Sequence, residues 1–188
     1  LVEEYIEGTE VALEGLLVEG ELEILAIIDK PDPLSGPYFE ETLYITPSRL
    51  RDDTQLAVAA LVAEASAALG LHSGPVHAEA RIPADGKPVL IELAGRTIGG
   101  LCGRAFTFGL PNESLEVLVL RSAVGLPTLD TSPAKAASGV LMLPIPATGV
   151  LTGVDGVDHR QGDRGGRGVA GAVQHHGGSV HGQAESLE

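Results

Sequence analysis

The chain has no tryptophan, one cysteine and only 3% aromatic residues among its 188. The scarcity of rings excludes the stacking platforms on which single-stranded nucleic acids are held. The lone cysteine, Cys102, excludes an internal disulfide and a cysteine-rich zinc site, and it suits a reducing, cytoplasmic setting. Basic residues are also few, 12 Lys and Arg against 26 Asp and Glu, for a formal charge of -14. A phosphate-backbone binder carries the opposite sign, so nucleic acid is not an expected partner. No apolar run reaches the roughly 18 residues of a membrane span, and no signal peptide is recognisable, so no membrane partner is expected either.

Hydrophobic residues make up 44% of the chain, enough for a core, and that core must be aliphatic. The charge is uneven. Residues 1–158 hold 9 basic and 23 acidic residues, whereas residues 159–188 hold 3 of each. The terminal stretch also carries 8 glycines and 4 of the 6 histidines, without a sustained apolar period. The reading is a folded body over 1–150 and a weakly patterned Gly/His-rich tail over 151–188, disordered or translated out of frame. His175 and His176, in that tail, are read as incidental.

Along the body, residues 2–29 read as a hairpin turning at Glu19-Gly20. The Pro/Gly-rich stretch after Asp29 reads as a loop. A short strand TLYIT ends at Pro47. Asp52 and Asp53 then lead an Ala/Leu-rich helix that stops at Gly70. The strands VHAEARI and PVLIELA follow, then helical patterns over 98–109 and 112–125 with Asn112 as cap, then the strand AASGVLMLPI. Consecutive hairpins with helices between them predict an α+β fold, an antiparallel sheet packed with helices.

The hairpin around PADGKP carries the chemistry. A two-residue loop at Asp85-Gly86 pairs Ala84 with Lys87 and, by the same count, Glu79 with Glu92. These carboxylates then share one face with His77 and Arg81, with Cβ atoms about 4.5–5.5 Å apart. Ala78, Ala80, Ile82, Val89, Ile91 and Leu93 form the other, apolar face. Directly opposed carboxylates repel, and a hard divalent cation such as magnesium would turn that repulsion into attraction. Solvated, screened glutamates are the alternative, and a slip of one residue would separate the pair. Arg96, four residues past Glu92 and before a Gly-Gly step, suits gripping a phosphate or carboxylate, or else a surface salt bridge. Cys102 reads as a small buried hydrophobe.

The stretch VHAEARIPADGKPVLIELAGRTIGG resembles the metal-binding hairpin of the ATP-grasp superfamily, in which an acid, a glutamate, an asparagine and an arginine follow in order. Glu79, Glu92 and Arg96 match; the asparagine position is Ala94, which leaves one or two metals open. VEEYIEGTE resembles the adenine hinge and ribose segment of the same superfamily. By that resemblance Glu3, Glu4, Tyr5 and Ile6 hold adenine, and Glu10 binds the ribose hydroxyls. The region from Ala26 to Leu50 is similar to the carboxylate–amine ligases of the group, which makes Lys30 and Glu41, with His77, weaker candidates for substrate contact.

The resemblance covers about residues 1–150 and implies the C-terminal lobe of an ATP-grasp ligase. The implied reaction activates a carboxylate as an acyl phosphate and joins it to an amine, with ATP and Mg²⁺ (or Mn²⁺) as cofactors and small carboxylate and amine substrates as partners. The chain starts within an element, and the lysine-bearing lobes that would close on the triphosphate are expected upstream of Leu1, so that the chain alone is expected to be inactive. A non-catalytic binding module and a biotin-dependent carboxylase subunit are the alternatives. The oligomeric state is left open.

Overall fold

The computed structural model describes residues 2–32, 41–100, 102–106, 114–126, 137–143, 170–173 and 182–183. Strands β1 (Thr9–Val18) and β2 (Glu21–Lys30) form the first hairpin. Both residues of its turn have positive φ, 53° at Glu19 and 92° at Gly20. That is the mirror-image turn whose twist matches the strands, and glycine supplies half of it without strain. Strand pairing starts at Thr9 rather than near Val2; residues 3–7 have no regular structure.

β3 (Leu43–Thr46) is followed by α1 (Asp52–Ala68). Asp52 and Asp53 lie in the first turn of α1, where acids favour the helix dipole, while Arg51 stands at the cap position with no side-chain cap bond. β4 (Gly74–Ile82) and β5 (Val89–Ala94) form the second hairpin. α2 (Cys102–Ala105) is a single turn, and α3 (Leu115–Ala123) is capped by Ser114, whose hydroxyl accepts from the Val117 amide. Asn112, the cap expected from sequence, lies outside the described residues. β6 is Ser138–Leu143.

The order of elements is the one the sequence predicts, and the sheet built from it is antiparallel from β5 through β4, β1, β2 and β3 to β6. Two short strands from the terminal tail, β7 (Ala170–Val173) and β8 (Gly182–Gln183), continue it, β7 pairing parallel to β6. They are the described part of the tail, paired onto the sheet where the sequence shows no apolar period; the rest of 151–188 lies outside the described residues.

Alternation along β1 divides the core. Val11, Leu13 and Leu17 join Val76, Ala78 and Ala80 of β4 beneath Val58 and Val62 of α1. Ala12 and Leu16 face the opposite side, with Ile28, Tyr44, Ile98, Cys102 and Phe106, and with Leu115 and Leu118 of α3. The sheet is therefore covered on both faces, and the polar residues of interest lie on the face shared with α2 and α3.

The second hairpin reaches the expected register by an unexpected route. The Gly86 amide donates to the Pro83 carbonyl at 2.9 Å, so the turn centres on Ala84-Asp85 and not on Asp85-Gly86. Near the turn Arg81 faces Val89 and Ala80 faces Leu90; a bulge then leaves Ile91 without a partner, and Glu79 faces Glu92. The two one-residue offsets cancel. Ile91 and Val89, expected on the apolar face, are 41% and 36% exposed, because the offset register sets Val89 opposite Arg81, gives the place beside Ala80 to Leu90, and leaves Ile91 in the bulge.

Candidate functional site

The site is built from neighbours across three strands. In the ladders, Glu10 of β1 stands between Lys30 of β2 and Arg81 of β4. Two registers on, Ala12 stands beside Glu79, and two further on Glu14 stands beside His77. All these residues share one face by the two-residue period of a strand. The side chains complete the network. Lys30 Nζ donates to Glu10 Oε1 at 2.9 Å, to Glu79 Oε1 at 2.6 Å, and to Glu41. Arg81 Nε donates to Glu10 Oε2 at 2.7 Å. The Lys30 ammonium lies 5.4 Å from the centre of the Tyr44 ring, and the Tyr44 hydroxyl donates to Glu41.

Burial makes this arrangement costly unless every charge is met. Lys30, Glu10 and Arg81 are all buried. An ion so placed is tolerated only when paired and hydrogen-bonded. Burial alone would lower the Lys30 pKa, but the charges of Glu79 and Glu41 outweigh it and raise it, so the ammonium stays protonated. Burial would raise the Glu79 pKa, but the His77 hydrogen bond and the Lys30 charge hold it down at about 2. His77, whose own pKa burial would lower, is pushed up to about 9 by hydrogen bonds to Glu14 and Glu79. Burial and the Glu41 contact both raise the Tyr44 hydroxyl. At neutral pH Glu79 is therefore ionised, and Lys30 and His77 are protonated.

Glu10, Glu41 and Glu79 each place an oxygen within 4.8 Å of the others. Glu92 stands apart from that trio. Although it faces Glu79 in the ladder, its carboxylate is paired with Arg96 Nη2 at 3.3 Å, and both side chains are about half exposed. Arg96 also donates to the Thr97 carbonyl at 3.1 Å. Ala94, at the position where the resemblance expects an amide, faces His77 across the ladder.

The segment matched to an adenine hinge lies at the Arg81 end of the same face. Glu3, Glu4 and Tyr5 are exposed and Ile6 is half-buried. The Ile6 carbonyl accepts from Arg81 Nη1 at 2.7 Å, and the Arg81 guanidinium lies 4.9 Å from the centre of the Tyr5 ring. Arg81 thus ties the hinge segment to Glu10. The structure brings Lys30, Glu41, His77, Glu79 and Glu10 into one network and places Glu3, Glu4, Tyr5 and Ile6 at its rim, with Glu92 and Arg96 as an outer pair.

Three members of the network carry no functional role in the sequence reading: Arg81, Tyr44 and Glu14. Glu14 is fully buried. Its signal in the sequence is an acid at the centre of the apolar run VALEGLLV, where a strand buried on both faces leaves a charge no route to water. A separate cleft of about 390 Å³ lies beside β2, lined by Ile24, Leu25, Thr46, Pro47, Leu56 and Phe106 among others, away from the ionic network. Among the described residues no helix is long and apolar enough to cross a membrane.

Alanine–anticapsin ligase of Bacillus subtilis (strain 168) is 33% identical over 89 residues, 47% of this chain and 18% of that protein. The crystal structure of L-amino acid ligase from Bacillus licheniformis superposes with a TM-score of 0.71 at 31% identity, covering 85% of this chain and 41% of the ligase. Biotin carboxylase from Campylobacter jejuni, solved as an ATP complex, is similar in fold, with a TM-score of 0.56 at 16% identity over 73% of this chain and 30% of the carboxylase. The chain thus spans about a fifth of the curated relatives it matches and two-fifths of the solved ligase. The profile of the ATP-grasp domain matches residues 1–105, more than half of the sequence, and on that match the chain belongs to the ATP-grasp family.

Proposed function

We propose that the chain is part of an ATP-dependent ligase that activates a carboxylate as an acyl phosphate and joins it to an amine. The observation that carries this reading is the placement of Glu79 opposite Glu92 on the face that also holds Glu10, in a chain 31% identical to an L-amino acid ligase. Glu3 to Ile6 would meet the adenine edge through their backbone, and Glu10 the ribose hydroxyls.

Magnesium, or manganese in its place, is the metal that the family implies, and the donor set fits it. Both candidate ligands are carboxylates, the hard oxygen donors magnesium prefers, and Glu79 is held ionised far below neutral pH. Glu79 and Glu92 would hold the ion; when bound it neutralises phosphate charge and orients the transferred group.

The chain's own residues do the rest by position and charge. The substrate carboxylate oxygen attacks the γ-phosphorus of ATP and ADP leaves. The amine nitrogen then attacks the acyl carbon, phosphate leaves and the nitrogen gives up a proton. Arg96, the most accessible cation beside the carboxylate pair, would hold the substrate carboxylate and then the acyl phosphate in its planar fork. Lys30 keeps the acidic side chains gathered beneath the nucleotide, and His77 and Glu41 steady them. No side chain needs to become covalently bound.

The test is thermal denaturation of the chain with Mg-ADP. At 100 times its Kd, a ligand that binds only the folded state adds about 2.7 kcal/mol. Glu92→Gln should abolish the part of that shift that depends on magnesium. A chain whose melting temperature ignores Mg-ADP would count against nucleotide binding, and a metal-dependent shift surviving in Glu92→Gln would remove Glu92 from the metal site.

A further inference from the structure

Glu14 is the buried charge that the proposed mechanism leaves without a task. It sits on β1 between Leu13 and Gly15, with none of its surface exposed. Such a carboxylate persists only where fixed donors replace water. Two groups do so here. His77 Nδ1 lies 3.1 Å from Glu14 Oε2. The backbone amide of Ile98 donates to both carboxylate oxygens, at 3.0 and 3.1 Å.

Ile98 belongs to the segment that carries Arg96. Residues 95–99 have no regular secondary structure, so no ladder fixes them. The segment is pinned at Ile98 twice, by its amide on Glu14 and by its side chain, which is buried in the core with Ala12 and Leu16. Arg96 stands two residues before that pin; burial raises the Glu14 pKa, and the His77 bond, the Ile98 amide and the Arg96 charge all act against that rise. From the other oxygen the same carboxylate reaches His77, whose Nε2 lies 3.6 Å from Glu79. One side chain therefore sets both the arginine segment and, through the imidazole, the candidate metal carboxylate.

We propose that Glu14 is a positioning residue: its buried carboxylate clamps the Ile98 amide and so fixes where Arg96 is presented. It does not touch the reactants. Its bearing on substrate rests on the role given to Arg96 above, whereas the clamp itself does not.

Glu14→Leu and Glu14→Gln separate a clamp from a mere space-filler. Gln keeps one acceptor at nearly the same place, and Leu keeps only bulk. Amide hydrogen exchange at Ile98 is read against Leu13, a buried amide in the centre of the sheet. In Glu14→Leu the Ile98 amide should exchange at least tenfold faster with Leu13 unchanged, and Glu14→Gln should stay within threefold of the native protein. Unchanged Ile98 exchange in Glu14→Leu, or equal acceleration at Leu13, would overturn the clamp. Should Glu14→Leu not fold, Glu14→Asp withdraws the acceptor by one methylene and is read by the same comparison. The functional arm is affinity for acetyl phosphate in the presence of Mg-ADP, a probe that presents the acyl phosphate assigned to Arg96. Glu14→Leu should weaken it as much as Arg96→Ala does, and the double variant should be no weaker than either, since both changes remove one interaction. Additive losses would refute action through Arg96. If Arg96→Ala leaves acetyl phosphate affinity intact, the role given to Arg96 fails, and the clamp is decided by Ile98 exchange alone.

Discussion

Replacing Lys30 by methionine tests whether the ionic network is held together by that one ammonium. Methionine preserves the length and most of the volume of the side chain and removes only the charge. The loss falls unequally on the three acceptors. Glu10 keeps Arg81 at 2.7 Å. Glu79 keeps His77 at 3.6 Å. Glu41 keeps the Tyr44 hydroxyl and is 31% exposed, so water reaches it. Removing one partner of a buried pair costs about 3–5 kcal/mol, and the surviving partners place the expected loss at the lower end, about 3 kcal/mol at pH 7. The pH dependence carries the sharper test. Glu79 has a folded-state pKa of about 2 against an ordinary 4.5, so its pairing contributes fully above 4.5 and is lost as the pH falls toward 2. The deficit of Lys30→Met should therefore be constant from pH 7 to 5 and shrink below 4.5, as the carboxylates that lost their cation become neutral. Urea unfolding followed by far-ultraviolet circular dichroism between pH 3 and 7 measures it. A deficit under 1 kcal/mol at pH 7, or one that does not change on acidification, would refute the view that Lys30 is the counter-ion of the cluster.

Two further outcomes follow from other buried groups. His77, raised from 6.5 to about 9, contributes stability that is complete below pH 6.5 and is lost as the pH rises through 9. The corresponding loss is about 3 kcal/mol in unfolding free energy across that window, and it should be absent from His77→Gln; equal alkaline slopes in the two proteins would show that the imidazole is not the group responsible. Cys102 is fully buried and its thiol is pushed up to about 12, chiefly by burial. It should therefore ignore an aromatic disulfide reagent at pH 8 and react stoichiometrically in 6 M guanidinium, roughly the concentration that unfolds even hyperstable domains; rapid reaction of the folded protein would place the thiol at the surface.

What the sequence made legible was local. A hairpin joins strands adjacent in the chain, so the turn at Glu19-Gly20 and the facing of Glu79 and Glu92 could be read from spacing and alternation. Even there the agreement concealed compensation: the turn sits earlier than expected, which offsets the register near it by one residue, and the bulge at Ile91 takes up that offset. Periodicity found α1 but extended the later helices, because the apolar pattern after Ile98 serves a segment whose side chains enter the core without a long helix. Ile98, Cys102 and Phe106 are all buried, yet α2 is one turn.

The ionic network was illegible for a different reason. Its key contacts join β1 to β4, strands separated by β2, β3 and α1, and no local rule selects that pairing. Only once β4 lies beside β1 does Glu10 fall between Lys30 and Arg81, and Glu14 beside His77. The sequence showed a large acid excess and offered bound metal as its relief. The fold supplies an internal relief as well, because Glu10, Glu14, Glu41 and Glu79 are met by Lys30, Arg81 and His77. Four acidic side chains thus stand against three basic ones, and Glu92 pairs with Arg96 beside them. A cation arriving at this face therefore meets carboxylates already engaged, and its binding must be measured against those internal partners, not against free glutamates in water. That competition is why Lys30→Met and Glu92→Gln should part company: the first removes a rival of any incoming cation, and the second removes a ligand.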